Sequence, residues 1–225
     1  MPTHQYDAIA IDGPAASGKS TVARELAARL ELIMVNSGEM YRAVTLEVVR
    51  RGVDPGDPAA VVGVLREIDL HCAVENRNSM VLIAGEHPGE ALRSDEVNAA
   101  VSRVAAVPEV RHLLVARQRE LRDLGDLVME GRDIGSVVFP DTPYKLYIEA
   151  SEEVRHQRRA AEGQVDELAL RDRLDSARRT SPLMVADGAQ VIDSSKLNIE
   201  QVLNAAMEVL REQGWFERNP ESATP

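Results

Sequence analysis

Short apolar runs recur along this chain, and between them apolar residues return every three or four positions. Five runs read as buried strands: YDAIAI (6–11), LIMV (32–35), DLVME (126–130), YKLYIEA (144–150) and AQVID (189–193). STVARELAARL sets Val22, Leu26 and Leu30 at helical spacing, with Ala23 and Ala27 on the same face. GEMYRAVTLEVVRR places Met40, Val44 and Val48 on one face and stops at Gly52. DPAAVVGVLREI opens with Asp57 as N-cap and Pro58 at the first helical position. SDEVNAAVSRVAAV opens on Ser94 as a cap. PEVRHLLVARQRELRDLG carries Val110, Leu114, Leu121 and Leu124 near one face, interrupted by Arg117, with Gly125 as the stop. SEEVRHQRRAAE begins on Ser151 and two acids, and NIEQVLNAAMEVLREQG begins on Asn198 with Gln201 placed for a capping box. Strands alternating with helices predict an α/β fold: a parallel sheet with helices on both faces.

One region breaks this rhythm. DLHCAVENRNSMVLIAGEHPGEAL (69–92) has two alternating runs around ENRNS and a turn at GEHPGE, which predicts a small antiparallel β insert. A parallel sheet does not need it, so it is expected to cover a substrate. The tail from Trp215 turns polar after two residues and is expected to fray.

Composition narrows the function classes. At 225 residues the chain is expected to be one ordinary domain with room for a small insertion, and 44% hydrophobic residues suffice for a full core. A net charge of −11 argues against a nucleic-acid surface, and 3% aromatics are too few for base-stacking platforms. The single cysteine, Cys72, excludes an internal disulfide and a cysteine metal cluster, and its alternating run predicts burial. MPTHQYD has no basic and apolar signal pattern, and no apolar run reaches a membrane-spanning length, so a soluble cytoplasmic protein is expected. The five histidines have no spacing that suggests a metal or a triad.

The candidate chemistry lies in DGPAASGKST (12–21). It contains G-x-x-x-x-G-K-[ST], with Gly13, Gly18, Lys19 and Ser20 at the fixed positions. The glycines allow a tight turn that aims backbone N–H groups at anionic oxygens. Lys19 can reach β- and γ-phosphates, and the Ser20 hydroxyl can ligate Mg²⁺. An apolar strand before the loop and a helix after it supply the setting that phosphate capture needs. No D-x-x-G and N-K-x-D pair is placed as a GTPase needs, while LVMEGRD offers Glu130 at a strand end and Asp133 three residues on. Arg155, Arg158, Arg159, Arg171, Arg173, Arg178 and Arg179 cluster in an otherwise acidic chain. Arginine suits bidentate phosphate contacts, and phosphoryl transfer needs cations and exclusion of water. RRAAEGQVDELALRDRLDSARR is expected to be an arginine-bearing lid.

Several motifs in order give a resemblance over about residues 6 to 211: IDGPAASGKST, NSGEMYRAVTLE, AGEHPGEALRSDEV, AAVSRVAAVPEVRHLL, EGRDIGSVVFPDTPYKLYIEAS, RDRLDSARRTSPL and ADGAQVIDSS. The chain resembles bacterial cytidylate kinases, a branch of the nucleoside-monophosphate kinases. The resemblance implies a five-stranded parallel sheet in the order 2-3-1-4-5, in one domain spanning 1–225. It implies a monophosphate-binding insert at about 37–103 and a lid at about 155–180. Gly13, Pro14, Ala15, Ala16, Ser17, Gly18, Lys19, Ser20 and Thr21 would hold the ATP phosphates, with Arg158 on the same nucleotide and Ser20 on Mg²⁺. Ser37, Tyr41 and Arg42 would line the monophosphate site, and Ser102, Arg111 and Asp133 would face the cytosine. Arg132, Arg171 and Arg178 would join Lys19 in gripping phosphates during transfer, and Asp175 would reach the sugar. Asn36 stands where relatives usually carry Asp, and Ser136 replaces a common Thr.

The residue chemistry agrees with these roles. Cytosine carries an amine where uracil carries a carbonyl, and a carboxylate such as Asp133 accepts from that amine. Arg111 can donate to the ring nitrogen and carbonyl, and Ser102 can donate or accept. The implied activity is ATP-dependent phosphorylation of CMP or dCMP; a monomer is expected, because lid and insert must move freely, and composition predicts no nucleic acid or membrane as partner. A kinase for UMP or another small acceptor, and a nucleotide-gated binding protein, stay open from the residues alone.

Overall fold

Each of the five apolar runs becomes a strand of one sheet. A computed structural model describes residues 6–161 and 183–218. The strands are β1 (Ala8–Asp12), β2 (Ile33–Asn36), β3 (Leu70–Glu75), β4 (Asn78–Ile83), β5 (Leu127–Gly131), β6 (Lys145–Glu149) and β7 (Gln190–Asp193). The helices are α1 (Lys19–Arg29), α2 (Ser37–Arg50), α3 (Pro58–Glu67), α4 (Asp95–Val104), α5 (Pro108–Glu120), α6 (Glu152–Ala161), α7 (Ile199–Glu212) and the single turn α8 (Trp215–Arg218).

The sheet order is β3-β4-β2-β5-β1-β6-β7. This corrects the expectation of five parallel strands: the sheet has seven and is mixed. Its stretch β2-β5-β1-β6-β7 is parallel throughout. The two further strands are the insert hairpin. Asn76 and Arg77 at its tip take φ of 49° and 59°, the left-handed pair that closes a two-residue hairpin loop. The hairpin does not stand apart as a cover. Asn78 pairs with Met34 at the outer edge of β2, so the insert extends the sheet and caps an edge that would otherwise be open.

The period-two alternation of β1 divides the core. Ile9 and Ile11 face α1 and α7, packing with Val22, Leu26, Leu203 and Leu210. Ala8 and Ala10 face the other layer, where their small size admits Phe139, Ile134 and Met129. A separate cluster joins α2, α3, α4 and α5 to the hairpin through Val44, Val61, Val101, Leu114 and Val81. Caps appear where the sequence places them: Asp57 accepts from the N–H groups of Ala59 and Ala60, Ser94 from Val97, and Asn198 forms a capping box with Gln201. Cys72 is half-buried, and burial pushes its thiol up to about 11.

The chain end differs from expectation. Trp215 is fully buried and meets Tyr144 edge-on, with ring centroids 4.8 Å apart. Arg218 lies 2.6 Å from Asp7. The start of the polar tail, Trp215–Arg218, is therefore docked, because its apolar first residue occupies a core position. Of the expected lid, residues beyond Ala161 lie outside the described residues.

Candidate active site

Strand β1 delivers the chain to the phosphate loop, and close packing dictates its first residue. A Cβ on Gly13 would lie 2.0 Å from the Ile148 carbonyl oxygen, so no other residue fits without moving β6. Gly18 then caps α1 at φ 93°, a conformation that glycine adopts without steric cost. The loop's carbonyls are held from outside. Arg155 Nη1 donates to Ala15 O (3.3 Å), Arg158 Nη1 to Ala16 O (3.3 Å), and Ser194 Oγ to Ser17 O (2.9 Å). Arg158 also donates to Ser194 Oγ and O, at 3.1 and 3.0 Å. Carbonyls fixed outward leave the loop and first-turn amides of α1 to face an anion.

Lys19 and Ser20 meet the end of β5. Lys19 Nζ donates to Pro14 O at 3.0 Å and lies 3.9 Å from Glu130 Oε2. Ser20 Oγ donates to Glu130 Oε1 at 2.8 Å. These are hard oxygen donors of the kind Mg²⁺ takes. Among the described residues no three His, Cys, Asp or Glu side chains gather around a metal position. Nucleotide-bound Mg²⁺ needs only one or two protein oxygens beside the phosphates, so the donor set fits that ion.

Two clefts flank this point. One, of about 200 Å³, is lined by Ala15, Ala16, Lys19, Ser20, Ser37, Tyr41, Arg42, Ser102, Arg111, Glu130, Arg132 and Asp133, together with Asn36, Arg93 and Arg159. The other, of about 730 Å³, is lined by Ala16, Ser17, Gly18, Lys19, Ser20, Thr21, Arg158 and Ser194, with Leu197, Ile199 and Val202 beyond. They share Ala16, Lys19 and Ser20, so the loop is a common wall. Every candidate among the described residues lines one cleft or both, except Gly13 and Pro14, which shape the loop from beneath. Arg171, Asp175 and Arg178 lie outside the described residues. None of the first cleft's lining comes from β3 or β4.

Opposite the loop, the first cleft ends in a buried ion pair between Arg111 and Asp133, exposed by 2% and 4%. Arg111 also donates to Ala105 O at 3.3 Å, and its guanidinium lies 5.3 Å from the Tyr41 ring centroid. Its Nε is buried with no hydrogen-bond partner. The family resemblance sets Arg111 and Asp133 side by side on a base; in the structure they pair with each other. Arg42 donates to Leu92 O (3.0 Å) and Asn98 Oδ1 (2.7 Å), and Ser37 Oγ to Glu130 O (2.7 Å). These bonds fix the polar wall between the two ends.

Three contributors escaped the candidate residues chosen from sequence. Glu130 had one signal, a carboxylate at a strand end. Ser194 and Asp12 had none strong enough, because their partners lie far away in sequence. Asp12, 3% exposed, accepts from Ile134 N and Gly135 N at 2.8 Å each. Burial pushes its carboxyl up to about 7, and the neighbouring Asp133 adds to this, against the two amide bonds and Arg132.

Comparison with known proteins adds the family. The family model described as cytidylate kinase matches residues 9–212. A cytidylate kinase of Rhodococcus opacus is 44% identical over 217 residues, covering 91% of this chain and 95% of that one. One of Geobacillus kaustophilus is 41% identical, covering 91% and 96%. One of Corynebacterium glutamicum is 43% identical, covering 87% and 90%. With a family model spanning most of its length and relatives that it matches nearly end to end, the chain belongs to the cytidylate kinase family.

Proposed function

We propose that this protein transfers the γ-phosphate of ATP to CMP or dCMP, giving ADP and CDP or dCDP. The observation that carries this is two clefts meeting at Lys19 and Ser20, one of them ending in the buried Arg111–Asp133 pair. ATP occupies the larger cleft with its phosphates on the loop amides. The monophosphate occupies the other with its base against Arg111, Asp133 and Ser102.

No covalent protein intermediate is required, because the acceptor phosphate is already a nucleophile. The chain's task is alignment and charge stabilisation. The loop amides and Lys19 bind the donor phosphates, while Arg132 and Arg42 bind the acceptor phosphate. Glu130 orients Lys19 and Ser20. Bound Mg²⁺, held by Ser20 with the phosphates, would supply neutralising charge. Arg171 and Arg178 bring further cations from the lid, and Asp175 takes the sugar. The monophosphate-binding region at about 37–103 and the lid at about 155–180 belong to one domain, and the protein acts as a monomer.

Asp133 accepts from the cytosine amine, and Arg111 donates to the ring. A uracil would set its carbonyl against the carboxylate. The test is a panel of CMP, dCMP, UMP, AMP and GMP with ATP and Mg²⁺, following ADP and the diphosphate product. CMP and dCMP should be consumed and the purine monophosphates left. Turnover confined to another acceptor, or tight ATP retention with no transfer to any, would overturn the proposal.

A further inference from the structure

Strand β1 ends in an acid that touches neither cleft. Asp12 precedes Gly13, so it is tied to the phosphate loop, and its register partner on β5 is Gly131. Its two carboxylate oxygens take different amides: Oδ1 receives Ile134 N, and Oδ2 receives Gly135 N, both at 2.8 Å. Those amides open the short π-helical turn Ile134–Val138. Asp133, which precedes that turn, has φ −147° and ψ 26°, and its carbonyl accepts from Val137 N at 2.9 Å and Val138 N at 3.2 Å. The backbone that aims Arg132 and Asp133 into the cleft is therefore fastened at its far side to Asp12.

We propose, resting on the function given above, that Asp12 is a positioning residue: it fastens the Arg132–Asp133 turn to the phosphate loop and so sets the acceptor end of the cleft relative to the donor end. Two amides aimed at two separate oxygens call for a side chain that only accepts, at both atoms. Among neutral side chains, Asn would turn an NH₂ toward one amide, and Ser offers one oxygen. Burial penalises the charge and raises the pKa to about 7, so the acceptor-only carboxylate is the prevailing form above that pH. The charged groups around it are Arg132 and Asp133 from the turn, with the stem of Lys145 on β6 against Gly135. A turn needing only stability would be better served by a neutral cap.

The test is Asp12→Asn, compared with wild type by ATP binding, by acceptor kinetics with CMP, and by amide hydrogen exchange at Ile134 and Gly135. Expected are an ATP Kd within about twofold of wild type, a fall in kcat/KM for CMP of roughly 10²-fold with a raised acceptor KM, and faster exchange at both amides. Unchanged exchange at both amides, or ATP affinity and CMP kinetics falling by the same factor, would overturn it. If Asp12→Asn does not fold by circular dichroism, Asp12→Ser is measured the same way. Failure of the wild type to phosphorylate CMP would count against the proposed function instead, and the exchange measurement, which needs no acceptor, would still decide the role of Asp12.

Discussion

Lys19 is a buried cation at the wall shared by the two clefts. Its ammonium rests on Pro14 O, with Glu130 within ion-pair reach. Lys19→Ala should leave circular dichroism unchanged while turnover at saturating ATP falls by an amount equivalent to about 3 kcal/mol of transition-state stabilisation. Near-normal turnover in a folded variant would remove the phosphate-loop assignment. Gly13 tests geometry rather than charge: Gly13→Ala drives a methyl into the Ile148 carbonyl, so both activity and thermal midpoint should drop. Lys19, Ser20 and Gly13 were legible because their spacing is local. Asp12 and Ser194 were not, because each acts on backbone more than a hundred residues away, and no periodicity encodes such a meeting.

At the scale of elements, alternation and capping revealed the strands and helices, since burial and terminal hydrogen bonds act within one segment. What an insert packs against depends on register, which alternation leaves free: the β3–β4 hairpin was visible, but its docking on β2 was not. The same holds at the chain end, where Trp215 joins the core of α7 and β6. Trp215→Ala should cost about 3–5 kcal/mol in urea unfolding; a loss below about 1 kcal/mol would mean that α8 is not docked. The contact of α6 and the β7 end with the loop carbonyls predicts a different signature. Ser194→Ala removes the bond to Ser17 O and one partner of Arg158. It should weaken ATP binding several-fold with little change in the acceptor KM, measured by titration and steady-state kinetics.

The whole molecule carries a charge that works against its stability. The folded state keeps a proton on Asp12 up to about pH 7, whereas the unfolded chain releases it near 3.8. Between those values the native state binds more protons. The stabilisation that this group contributes is therefore fully present below about 3.8 and is lost as pH rises through about 7. Urea midpoints from pH 4 to 8 should decline from this source in wild type and be flatter in Asp12→Asn; parallel curves would contradict the buried titration. The glycine-rich loop and the Lys19 and Ser20 that follow it were plain in the sequence. The mutual pairing of Arg111 with Asp133 was not, because two residues with separate roles on a ligand can also serve each other. The proposed reading of the base by that pair is tested most directly by kcat/KM for CMP divided by that for UMP, in wild type and in Asp133→Asn. Loss of a charge-assisted hydrogen bond to the amine should cost CMP roughly 1.5–3 kcal/mol, while UMP gains by losing an opposed acceptor, so the ratio should fall steeply. An unchanged ratio, even with activity collapsed for both, would mean that Asp133 only orients Arg111 and that the pair does not read the base.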